Sequence, residues 1–255
     1  LMTIGTGGLV VLPSYESIGV AAPIILVLVR MMQGLAWGGE AGAAPTFIME
    51  AAPAGKRAFY ASWQIVAQGI AGISAGVIGY VLTVTLTPEQ LASLGWRIPF
   101  AFGLLILPIA LYLRRHLNET FTAEKDSPAQ TTGSLLSTVF KDYRKLVLLG
   151  IFILSGSTIT QYFLNYMTTY ALNELHFASG TAMVSTIVIG LCVVIFSLLG
   201  GWMADRFGRK ITIIAPRLLL LILLLPGLEI INTYRSATVF FSVITVFAAL
   251  QCISG

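Results

Sequence analysis

Residues 30–57 read RMMQGLAWGGEAGAAPTFIMEAAPAGKR, and this stretch decides how the chain folds. It opens as an apolar helix, yet it contains Arg30, Gln33 and Glu40 where lipid-spanning sequence is otherwise uncharged, and it ends in the basic turn Lys56-Arg57. An ionised side chain at mid-membrane costs about 2.5–3.5 kcal/mol on insertion scales, so a function or a specific partner must offset Arg30 and Glu40. Arg30, Gln33, Trp37 and Glu40 recur at spacings of 3, 4 and 3, which at ~100° per residue places them on one helix face. Gly34, Ala36, Gly38, Gly39, Ala41, Gly42, Ala43 and Ala44 fill much of the remainder, and small residues let helix backbones approach closely in a membrane. The pattern predicts a helix packed on most sides that shows a polar stripe to a cavity, with Arg30 and Gln33 lining it. Arg30 and Glu40 lie about 15 Å apart along the axis, so the sequence does not pair them with each other.

Working outward, the composition extends the same reading. Charged residues make up 10% of the 255 positions and hydrophobic residues 56%, against about 25% charge in soluble proteins. The expected fold class is all-α, a polytopic membrane helix bundle. Apolar spans run over residues 21–52, 59–86, 97–113, 146–172, 180–203 and 211–231, with the tail of another helix at 1–12 and the start of one more at 238–255. Both ends fall inside apolar runs, so the chain is expected to be an internal fragment of a longer protein.

The connections sort by charge. One alternate set contains Lys56 and Arg57, then Arg114, Arg115, Lys125, Lys141, Arg144 and Lys145, then Arg206, Arg209 and Lys210. The other set, at residues 13–20, 87–96, 173–179 and 232–237, contains Arg235, with Arg97 at a boundary. By the positive-inside rule the first set is cytoplasmic, so the formal net charge of +4 is a topology signal and not a nucleic-acid surface. Three regions are expected: residues 1–113 as part of an N-terminal helical bundle, 114–143 as a polar cytoplasmic linker, and 144–255 as part of a C-terminal bundle. The Asn118-Glu119-Thr120 sequon falls on the cytoplasmic side and is discounted. Cys192 and Cys252 both sit in apolar runs, which gives no support to a disulfide or a metal site. Gly72-Ile73-Ser74-Ala75-Gly76 spells a hydrolase elbow, but Ser74 lies mid-helix and the two histidines, His116 and His176, fall in loops on opposite sides.

Two motifs carry a family resemblance. Met32-Gln33-Gly34-Leu35 followed by Gly38, Phe47, Glu50 and Arg57 resembles the fourth-helix signature of sugar porters and their relatives. Gly201-Trp202-Met203-Ala204-Asp205-Arg206-Phe207-Gly208-Arg209-Lys210 resembles the G-x-x-x-D-R-x-G-R-K loop of the major facilitator superfamily. Within that superfamily, RMMQGLAWGGE, EAAPAGKRAFYASWQ, Gly95-Trp96-Arg97-Ile98-Pro99-Phe100 and the segment from Leu113 to Thr120 are similar to the metabolite:proton symporter group, which includes citrate and tricarballylate, α-ketoglutarate, shikimate and proline/betaine carriers. The resemblance implies a twelve-helix parent of which this chain covers the end of the third helix to part of the tenth.

It also implies roles. The fourth, fifth, seventh, eighth and tenth helices lie at or near the cavity, and the third, sixth and ninth are more peripheral. Proton-coupled uptake of a small organic anion, a di- or tricarboxylate, is the implied function. Arg30 is the preferred anion ligand, because a guanidinium matches carboxylate geometry and stays charged. Gln33, Gln64, Tyr162, Asn165 and Tyr166 would contact substrate, and Glu40 is the candidate proton-coupling carboxylate, since burial raises a carboxyl pKa. Glu50, Arg57, Gly201, Asp205, Arg206, Gly208, Arg209 and Lys210 form an expected conformational latch, in which Asp205 accepts from amides at a neighbouring helix N-terminus and the cations pair with carboxylates across the bundle. Gly69, Gly72, Gly76 and Gly79 form a stripe suited to close helix packing. Arg217 is expected to brace the bundle or snorkel.

No enzymatic activity, metal or cofactor is expected, with the proton as coupling ion. The expected surroundings are a small anion and the lipid of a bacterial inner membrane, without nucleic acid, and the expected state is a monomer. A proline, betaine or shikimate symporter and a non-transporting, truncated membrane protein are the alternatives.

Overall fold

The structure is a computed structural model that describes residues 1–116, 141 and 143–254; the side chains of Glu40, Ala41, Ala43 and residues 113–116 are outside that description. In chain order the helices are α1 (Met2–Val10), α2 (Tyr15–Ile18), α3 (Ala21–Ala51), α4 (Arg57–Thr85), α5 (Pro88–Ser93), a 3-10 turn (Gly95–Arg97), α6 (Ile98–Gly103), α7 (Ile106–His116), α8 (Arg144–Asn173), α9 (Ser179–Phe207), α10 (Arg209–Tyr234) and α11 (Ala237–Ile253). Six segments among the described residues are long and apolar enough to cross a membrane: α3, α4, Gly95–Tyr112, α8, α9 and α10. The fold is the all-α membrane bundle that the sequence predicts, and its spans fall where the apolar runs put them. Most of the linker expected over residues 114–143 lies outside the described residues.

One expected span is interrupted. The sequence reads residues 97–113 as a single helix, whereas α6 ends at Gly103 and α7 begins at Ile106. Pro108 has no N–H to give the carbonyl of Leu104, and its ring crowds that position. The backbone tightens there instead, with Leu104 N–H donating to Ala101 (3.1 Å) and Leu105 N–H to Phe102 (3.1 Å).

The described chain forms two compact units, Leu1–Leu105 with Phe163–Gly255, and Ile106–Tyr162. The second holds α7 and the first part of α8. The first has a core of Leu164, Met167 and Ala171 from α8, Ala182, Ile189 and Val193 from α9, Ile231 from α10, and Phe240, Ile244 and Phe247 from α11. Aromatic pairs tighten it, Phe163 with Phe247 at 6.2 Å and Phe177 with Phe240 edge-on at 5.7 Å.

Helix α9 also packs antiparallel along α4. A Cβ added to Gly69 would come within 2.9 Å of Val193 and Val194 and 3.0 Å of the Gly190 carbonyl, and one added to Gly76 within 2.7 Å of Ile187. Further along, Gly79 faces the Met183 sulfur and Gly180 faces Tyr80. Lipid tails are as apolar as Leu, so helices in a membrane associate by close van der Waals contact, and glycine is the residue that permits it here. At the other end α9 stops at Gly208, whose φ of +93° a side chain would resist, and the chain turns into α10.

Candidate functional site

Helix α3 and its neighbour α1 hold a hydrogen-bonded chain of polar side chains. Arg30 Nη1 donates to Gln33 Oε1 (3.1 Å), Gln33 Nε2 donates to Thr6 Oγ1 (3.1 Å), and the Thr6 hydroxyl donates to the Met2 carbonyl (3.0 Å). Donation runs from the guanidinium through Gln33 and Thr6 to the Met2 carbonyl, and it fixes the orientation of the Gln33 amide. Gln33 is 8% exposed. It can lie against α1 because Gly5 has no side chain; a Cβ there would meet Gln33 Cγ at 2.6 Å. Phe100, from α6, stands 5.6 Å from the Arg30 guanidinium carbon, a cation–π arrangement. Arg30 itself is exposed, and among the described residues four of its five N–H donors make no hydrogen bond.

The four residues expected on one face of α3 therefore differ in setting. Gln33 is buried against α1, Arg30 and Trp37 are exposed, and the side chain of Glu40 is outside the described residues. Gln33 holds the arginine in place and spends its outward oxygen doing so. Gln64 is half-buried on α4, and Tyr162, Asn165 and Tyr166 are exposed on α8; Tyr162 belongs to the second unit and the other two to the first. Among the described residues Gln64 and Asn165 make no hydrogen bond, which leaves their amides free to take a ligand.

A second arrangement joins the ends of α4 and α9. Asp205 Oδ1 accepts from the backbone N–H of Ala58 (3.0 Å) and Oδ2 from that of Phe59 (2.9 Å). These are unpaired amides in the first turn of α4, whose N-cap residue is Lys56 and makes no side-chain cap. A helix start of this kind needs an acceptor, and Asp205 supplies it from another helix, with its charge favourably placed at the positive end of the dipole. Gly201, one turn earlier, makes the approach possible. A Cβ there would lie 2.9 Å from Ala58 O, Phe59 Cα and Ser62 Oγ. Arg206 stacks over Trp202 (5.3 Å) and Phe207 (5.7 Å). Glu50, Arg57, Arg209 and Lys210 are exposed and make no ion pair among the described residues, so the carboxylate partners expected for the basic residues are not found there.

Sequence reading missed several polar partners. Thr6 as the partner of Gln33 and Phe100 as that of Arg30 offered no signal, because spacing along one helix says nothing about its neighbours. Thr168 also joins Ser185 (2.8 Å) and Thr186 (3.0 Å) between α8 and α9, and Tyr170 bonds Asn232. Ser74, the false elbow, donates to the Ile70 carbonyl inside its own helix (2.9 Å). Among the described residues no three His, Cys, Asp or Glu side chains gather as a metal site.

Membrane-length helices, a charged residue set in an apolar span and a carboxylate that ties the start of one helix to the end of its antiparallel neighbour describe a polytopic membrane protein. Residues 1–254 match the family model of the Major Facilitator Superfamily, and the chain belongs to that family, whose members are transporters and not enzymes. It is 34% identical over 90% of its length to the citrate-proton symporter of Salmonella typhi, which it covers to 53%. It is 32% identical over 92% of its length to the alpha-ketoglutarate permease of Escherichia coli K12, covering 54% of it, and 32% identical over its whole length to the proline/betaine transporter of the same organism, covering 53%. The chain thus spans about half the length of the curated relatives it matches. No solved structure is a significant match. Family, relatives and helices make it a multi-pass protein of a bacterial inner membrane.

Proposed function

We propose that the whole protein is a proton-coupled importer of a small organic anion, a di- or tricarboxylate such as citrate or α-ketoglutarate. The observation that carries this reading is Arg30, a permanent cation in an apolar helix, held by Gln33 and Phe100 with most of its donors uncommitted among the described residues. The names of the citrate and α-ketoglutarate relatives support the same substrate class. Gln64, Asn165, Tyr162 and Tyr166 would complete the contacts to the substrate, Gln33 would orient the arginine, and Glu40 would carry the coupling proton. Two half-bundles, residues 1–113 and 144–255, joined by the cytoplasmic linker 114–143, would rock around a midplane site. Glu50, Arg57 and the segment from Gly201 to Lys210, Asp205 above all, would set the inward and outward populations.

The equally well-covered proline/betaine relative favours a second reading, a carrier of zwitterions, whose carboxylate Arg30 would also bind. Uptake of a labelled carboxylate by the full-length protein, with citrate, α-ketoglutarate, shikimate and betaine as competitors, separates the two. The anion reading expects competition by the first two and none by betaine. Arg30→Ala should abolish uptake at unchanged membrane levels, and Arg30→Lys should lose most of it, because the bidentate fork is gone. Undiminished uptake by Arg30→Ala would refute the assignment.

A further inference from the structure

Beside the Asp205 cap lies a cavity of about 530 Å³, where α4 begins and α9 ends. Its walls are three aromatic rings, Phe59, Tyr60 and Trp202, and its charged members are Lys56, Asp205 and Arg206. Both Asp205 oxygens already accept from the α4 amides, and among the described residues neither Lys56 nor Arg206 makes an ion pair with it or with any other carboxylate, so two cations line the cavity against one hydrogen-bonded anion. The balance is cationic, backed by apolar rings. Charge alternation puts this end of the bundle on the cytoplasmic side, at the depth where α4 and α9 leave the bilayer. Trp and Tyr favour that interface because one side of the ring is apolar and the other is wet, and basic pockets between helices on that side suit lipid headgroups.

We infer that this cavity is a binding site for an anionic phospholipid of the cytoplasmic leaflet. The phosphate is held between Lys56 and Arg206, and the glycerol and upper acyl chain lie against Phe59, Tyr60 and Trp202. The ligand must present a compact anion joined to an apolar tail, which inorganic phosphate lacks and a zwitterionic lipid offers without net charge. Lys56 precedes α4 and Arg206 closes α9, so a bound headgroup bridges the two helices that Asp205 already joins and favours the state in which they are joined. This assignment does not depend on which substrate is carried.

The test uses full-length protein reconstituted in phosphatidylcholine vesicles with or without phosphatidylglycerol, each lipid supplied in brominated form to quench nearby tryptophan. The difference between the wild type and Trp202→Phe isolates the signal from the cavity. Brominated phosphatidylglycerol should quench Trp202 more strongly than brominated phosphatidylcholine, and Lys56→Gln and Arg206→Gln should each weaken that preference about fivefold. Arg206→Lys, which keeps the charge, should retain it, and it serves as the arm that survives if the neutral variant fails to fold. Inorganic phosphate in the buffer should leave the quenching unchanged. Equal quenching by the two lipids, a preference that persists when Lys56→Gln and Arg206→Gln are combined, or displacement by inorganic phosphate would each overturn the inference.

Discussion

At the scale of single residues, Asp205 does what no residue of α4 can do for itself. Its two oxygens accept from two adjacent amides, a geometry that needs acceptors on both sides of one group. Asn is nearly isosteric but turns one acceptor into an NH2 that must face an N–H. Asp205→Asn should therefore weaken the α4–α9 link by about 1.5–3 kcal/mol, the worth of hydrogen bonds to a charged group, and broaden the distance between spin labels placed near residues 56 and 207 of the full-length protein. An unchanged distance distribution would show that this carboxylate does not govern the link. That a carboxylate in this motif suits a helix N-terminus is legible in the sequence, from its charge and the following glycine. Which helix it meets is not legible, since Lys56 and Arg57 read as topology signals and give no hint that the turn after them lacks a cap. Thr6 is hidden for the same reason. A lone threonine near the start of an apolar run announces nothing until Gln33 of α3 is seen to reach it.

At the scale of helices, the contact between α4 and α9 rests on where a methyl group fails to fit. A Cβ on Gly190 would stand 2.8 Å from Ile73 Cγ1 and 2.9 Å from both Gly69 O and Ile73 N. Two of those three atoms are backbone and cannot yield. For Gly72, in the same stripe, the nearest atom is 3.8 Å away, at the Gly190 Cα. Gly190→Ala should lower stability by about 1–3 kcal/mol, the usual cost of overpacking. Gly72→Ala should be neutral or slightly stabilising, because alanine loses about 0.5–1 kcal/mol less on entering a helix. Thermal unfolding of the two purified full-length variants tests the contrast, and equal losses would contradict the close approach at Gly190. The glycine spacing on α4 is legible as a packing stripe. Gly190 stands alone between Ile189 and Leu191, and sequence gives no reason to single it out. The break between α6 and α7 does have a mark in the sequence, Pro108, but the run of apolar residues around that proline hides it in a hydropathy pattern.

For the whole molecule, the charge alternation gives the helices a direction as well as a number. Lys56, Arg57, Arg206, Arg209 and Lys210 gather where α4 starts and α9 ends, held at one end of the unit by the Asp205 contacts. Arg235 lies beyond the far end of α10. Single cysteines placed at 56 and 210 of an otherwise cysteine-free full-length protein should react with an impermeant maleimide in inverted vesicles, and one at 235 in right-side-out vesicles. The reverse pattern would turn the topology over. Spans and orientation were legible because length and charge are properties of a segment by itself, whereas the cavity between Lys56 and Arg206 depends on residues that meet only after folding. The Ala58–Asp205 bond spans 147 residues of chain, which has a consequence for synthesis. As the protein leaves the ribosome, α4 enters the bilayer long before residue 205 exists, so water must hold the amides of its opening turn until the later helix arrives. Completion of that turn marks the arrival of the second half of the chain at the first.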